Sequence, residues 1–154
     1  SSGQINRSSA VDAGLLKTQR FLISCMSADP GLAVKISGVL MPDEFADELY
    51  REVARKGYTC AENGTVISSI LDDYRDDSVL QGRVAEIFNS AEEAKMYSED
   101  EAGQAGDKKA AVNAAIVRIK KANLDRRGRE ATDVNELQEI IRQQAELTSK
   151  KSYI

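Results

Sequence analysis

Between Asp107 and Asn123, the residues Val112, Ala115, Ile116, Ile119 and Ala122 recur every three or four positions, with Lys108, Lys109, Lys120 and Lys121 set between them. A strand half-buried in a sheet would instead alternate at every second position, so this stretch reads as one long amphipathic helix. The same period runs through the rest of the chain. From Val11 to Ser27 it aligns Leu15, Leu16, Leu22, Ile23 and Met26 and leaves Lys17 and Arg20 outside. Asp29-Pro30 then supplies an N-cap and a first-turn proline for a short helix carrying Leu32, Val34 and Ile36, which Gly38 ends. Pro42-Asp43-Glu44 opens a third helix with acids at the positive end of its dipole, and Phe45, Leu49 and Val53 form its apolar line beside Tyr50. Gly57 closes it. After a turn at Asn63-Gly64, Val66, Ile67, Ile70, Leu71 and Tyr74 share a helical face, and Asp77-Ser78 caps a helix holding Val79, Leu80, Val84, Ile87 and Phe88.

The expected architecture is therefore all-α: a helical bundle followed by a C-terminal long helix and helical hairpin. With no Trp, 5% aromatic residues and only two prolines, the core must come from Leu, Ile, Val and Ala, a palette that favours helices. Residues 1–10 are polar and read as a linker or tag remnant. Residues 11–106 form the bundle, with the acidic, Gly-interrupted stretch Glu92–Gly106 as its boundary. Residues 107–154 form the long helix and hairpin. Asp107 caps the long helix, and the break falls at Arg126-Arg127-Gly128-Arg129. Thr132-Asp133 opens the last helix, with Glu136 in the capping-box position. Its stripe is Leu137, Ile140, Ile141, Gln144 and Leu147, and Lys150-Lys151-Ser152-Tyr153-Ile154 follows it.

Composition narrows function by removing routes to chemistry. Histidine is absent, so the commonest general base, metal ligand and partner of a Ser or Cys nucleophile is missing. Cys25 and Cys60 have no CxxC spacing; Cys25 reads as a small core residue, and both suit a reducing cytosol. The acidic group Asp72-Asp73 and Asp76-Asp77 lacks the central Gly and terminal Glu of a calcium loop and reads better as a helix end beside a helix start. Gly103 to Lys109 has neither the spacing of a phosphate-binding loop nor a preceding strand. No cofactor, metal site or catalytic group is expected, and no apolar run reaches the roughly 18 residues of a membrane span.

Charge changes sign along the chain. Residues 107–154 carry 11 Lys/Arg and 7 Asp/Glu, while the rest is net −8 within a total of −4. A basic appendage on an acidic body suggests an element that docks. The run Lys120-Lys121 and Arg126-Arg127-Gly128-Arg129 could meet phosphates, but no aromatic lies between Asp107 and Tyr153 to stack on bases, and a solvated helix face explains it equally. For the last helix two readings stay open: its stripe packs wholly on the long helix, or part of it faces a partner protein.

One family fits these residues in order. A polar lead runs into Leu15-Leu16-Lys17-Thr18-Gln19-Arg20-Phe21-Leu22-Ile23; then come Phe45-Ala46-Asp47-Glu48-Leu49-Tyr50 and Tyr58, two short helices, a long helix and a hairpin. From Val11 to Ile154 this resembles the C-terminal helicase-binding domain of bacterial DnaG-type primase. The resemblance implies a non-catalytic domain that docks on the N-terminal domain of the replicative, DnaB-type hexameric helicase and stimulates it, coupling primer synthesis to the fork. It implies a bacterial, cytoplasmic setting, with no membrane and with DNA met only indirectly. Leu137, Ile140, Ile141, Gln144, Leu147, Lys150 and Lys151 would then form the partner-binding surface. The N-terminal domain of the helicase itself is the nearest rival, because it is thought to share the bundle; a fork or single-stranded DNA-binding accessory domain is another.

Overall fold

The computed structural model describes residues 11–89, 104–150 and 152–154, with backbone alone at 104–107. The polar lead at 1–10, most of the acidic boundary and Lys151 lie outside the described residues. The helices are α1 (Ala13–Ala28), α2 (Pro30–Ser37), α3 (Glu48–Asn63), α4 (Ser78–Phe88), α5 (Gln104–Glu130) and α6 (Val134–Ser149), with 3-10 segments at Pro42–Glu44 and Ile67–Tyr74. Among the described residues there is no strand, and the fold is all-α.

Short acidic caps set most of these boundaries. Asp12, Asp29, Asp77 and Asp133 each accept a hydrogen bond from a backbone N–H of the first turn they precede, as N-caps do. Asp29 also closes α1 through its own N–H to Cys25 O at 3.0 Å, so two helices meet with no spacer. α1 is the centre of the bundle and touches α2, α3, α4 and α5. Its Leu22, Ile23, Cys25 and Met26 are wholly buried. The first half of α5 completes the same core through Val112, Ala115, Ile116 and Ile119.

Four local expectations are corrected. The helix read as opening at Pro42 is a single 3-10 turn, and α3 starts only at Glu48. Between them the chain turns so that Phe45 enters the core and Ala46 is clamped by Gln19, whose amide both donates to Ala46 O (3.0 Å) and accepts from Ala46 N (2.6 Å). The turn holds Asp47 at φ 77° and ψ 130°, a backbone region that non-glycine residues rarely adopt. Second, Gly57 does not end α3. It lies inside the helix, where an added Cβ would sit 3.3 Å from Met26 Cε and 3.6 Å from Ile67 Cγ2, so its smallness allows close packing. The helix ends at Gly64, at φ 71°. Third, residues 67–74 wind as a 3-10 helix, in which positions three apart eclipse. Ile67, Ile70 and Tyr74 are buried there, while Val66, the residue that precedes the segment, stays exposed. Fourth, α5 begins at Gln104, ahead of Asp107, and runs straight through Gly128 to Glu130. One glycine costs a helix about 1 kcal/mol, too little to break one packed on both sides. The chain turns instead at 131–133, and α6 folds back along α5.

Candidate docking surface on the terminal hairpin

α6 is anchored along one face. Ile140 (1% exposed) and Leu147 (9%) close over Leu124 of α5, with Val117, Ala131 and Tyr153 around them, in a second small core separate from that of the bundle. Polar contacts fix the register of the two helices. Arg127 donates to Gln143 Oε1 at 3.2 Å, and Gln144 Nε2 donates to Asp125 Oδ1 at 3.4 Å.

The face beside it, about 100° round the helix, is apolar and open. Val134, Leu137 and Ile141 are 69%, 41% and 55% exposed and follow one another at i, i+3 and i+7, so they form one stripe along the helix. An ion-paired triplet, with Arg142 between Glu139 and Glu146, lies across the helix from this stripe, and Arg142 and Glu146 border a groove with Gly38, Val39 and Glu44. Hydrogen bonds from Arg142 and Gln143 hold the Glu139 carboxyl down to about 2, so it stays charged at any physiological pH. Such exposed pairs add little to stability.

Of the residues expected at the surface, the structure keeps Leu137 and Ile141 outward and turns Ile140 and Leu147 inward. Gln144 is half-buried against α5. Lys150 bends over the Tyr153 ring, 4.5 Å from its centroid. Lys151 is outside the described residues.

Two elements went unread in the sequence. Val134 extends the open stripe by one turn, and its spacing to Leu137 and Ile141 would have shown this. The tail was the larger omission. Asn113 Oδ1 accepts from the backbone N–H of both Tyr153 (2.7 Å) and Ile154 (3.1 Å), tying the chain end to the middle of α5. Tyr153 lies between Lys150 and Lys120, and Lys120 in turn holds Glu44 at 2.9 Å. The hairpin is thereby fastened to the corner between α2 and α3. A lone Asn within a helix gives no signal of such a role.

Compared with protein-family models, curated proteins and solved structures, the chain has no match. Among the described residues, no three Cys, Asp or Glu side chains gather as metal ligands would, and no helix is long and apolar enough to cross a membrane.

Proposed function

We propose that this chain is the helicase-docking domain of a DnaG-type primase, a non-catalytic module that attaches primer synthesis to the replicative hexameric helicase in the bacterial cytoplasm. One observation carries the reading: α6 is pinned by Ile140 and Leu147 and still presents Val134, Leu137 and Ile141 to solvent. A helix that had only to cap a hairpin would need an apolar face as wide as its seat, and this one extends well beyond it. The order of helices along the chain, which resembles that family, supplies the partner. The open stripe seats in an apolar groove of the helicase N-terminal domain. Three aliphatic anchors make a modest contact, and several such modules on one hexamer would raise the local concentration of primase at the fork.

The test is a titration of the chain against the N-terminal domain of a replicative helicase, repeated with Leu137→Asp and Ile141→Asp together. Burying two carboxylates in an apolar seat costs several kcal/mol, so affinity should fall by more than about a hundredfold. These positions are exposed, so the fold should survive. Unchanged affinity would remove the stripe from the interface, and absence of binding by the unaltered chain would remove the function.

A further inference from the structure

The arginines of the segment 126–129 do not act as one group. Arg127 turns to α6 and bonds Gln143, whereas Arg126 turns to the bundle. There it donates to Asn123 Oδ1 at 2.7 Å and approaches Asp43 O at 3.5 Å. Arg51, from α3, donates to Phe45 O at 2.8 Å, so guanidinium groups from two helices far apart in sequence share the carbonyls of one turn. Each is joined by an exposed arginine on its own helix: Arg55 one turn after Arg51, and Arg129 one turn after Arg126. Burial and the nearness of Arg51 both disfavour the charge on Arg126. Two carboxylates lie among these cations: Asp43, 3.8 Å from Arg55, and Glu130, beside Arg126.

We propose that Arg51, Arg55, Arg126 and Arg129 form a seat for the phosphate backbone of a nucleic-acid strand, on a face of the molecule separate from the α6 stripe. Guanidinium groups bind phosphate oxygens in pairs, and their charge is never lost to deprotonation. Arg51 and Arg55, four apart, stand about 6 Å apart along their helix and Arg126 and Arg129, three apart, about 4.5 Å, near the spacing of successive phosphates of one strand. Among the described residues, Phe45 and Tyr50 beside Arg51 are buried and an exposed Met41 lies two residues before Asp43, so no ring there is open to stack on bases and binding is independent of sequence. Carboxylates also pair with guanidinium groups, and an acidic peptide is the competing occupant that the displacement assay below separates. The seat would let the domain that holds a protein partner through α6 rest on a strand as well.

The experiment is fluorescence anisotropy with a labelled oligothymidylate and with a duplex of equal length, across a salt series. Four phosphate contacts on a single strand give a log–log slope near −2.8, so affinity should fall about 50-fold between 50 and 200 mM salt. The double variant Arg55→Gln/Arg129→Gln changes only exposed side chains, and its slope should halve, to about a 7-fold fall over the same range. Lys17→Gln/Lys121→Gln removes equal charge from exposed positions elsewhere and should behave as the unaltered chain. Binding to the oligothymidylate or the duplex with these responses supports the seat, and the stronger of the two identifies the strand form. No binding at 50 mM salt, equal loss in both double variants, or displacement by polyglutamate at matched charge would each overturn it.

Discussion

Ile140 and Ile141 are neighbours of identical chemistry, and the fold gives them opposite tasks. Ile140 is 1% exposed in the small core between α5 and α6, whereas Ile141 is 55% exposed on the open stripe. Truncating Ile140 to Ala removes three carbon atoms from a packed site. At about 0.8 kcal/mol for each, plus a cavity that Leu124 and Leu147 fill only in part, the loss should be about 3 kcal/mol. The same truncation at Ile141 removes carbons that are mostly in water and should change stability by no more than about 0.5 kcal/mol. Both variants gain the same few tenths from the better helix propensity of Ala, so this contribution cancels in their difference. For a chain of this size, 1 kcal/mol moves Tm by about 2–4 °C. Melts followed by circular dichroism should therefore place Ile140→Ala about 6–12 °C below the unaltered protein and Ile141→Ala within about 2 °C of it. Partner binding should respond in reverse, with Ile141→Ala weakened at temperatures where both variants are folded. Equal Tm values for the two variants would refute the division of α6 into an anchored and an open face.

Three further outcomes follow from the bundle. Gln19→Leu leaves both the N–H and the C=O of Ala46 buried without a partner, and the urea midpoint should report a loss of about 2–4 kcal/mol with an unchanged m-value. Gly64→Ala forces a Cβ into the left-handed cap of α3 and should cost about 1 kcal/mol in the same assay, with Gly64→Asn losing less. Burial raises the Cys25 thiol from 9.0 to about 11, so at pH 8 a disulfide reagent should modify Cys60 in the native protein and reach Cys25 only after unfolding. Because that folded value lies above the unfolded one, the contribution of the protonated thiol to stability is complete below pH 9 and declines as pH rises toward 11.

The apolar period read the helices well because burial in a helical fold follows the i, i+3, i+4 face. Leu22, Ile23, Met26, Val112, Ile116 and Ile119 all lie where that face puts them. It failed at breaks. Gly57 and Gly128 read as stops and are interior helix positions, while the actual stop at Phe45–Asp47 is held by Gln19, a residue of another helix. A glycine is a weak local signal, and a packing neighbour can override it. The clamp that bends the chain at Ala46 is 27 positions away in sequence, so local patterns do not contain it.

The docking face shows the same boundary. Local pattern was enough for an all-α chain, the caps Asp29, Asp77 and Asp133, and a final helix rich in aliphatic residues, because these depend on neighbours within one turn. It could not divide Leu137, Ile140, Ile141 and Leu147 into those that hold the hairpin and those left open, since all four belong to one broad stripe. That division came only when α5 ran on through Gly128 and set the angle at which α6 returns. Tertiary structure likewise brought Arg51 beside Arg126 and the tail to Asn113. Each joins residues that no local period relates, and only the closing of the core brings them within reach.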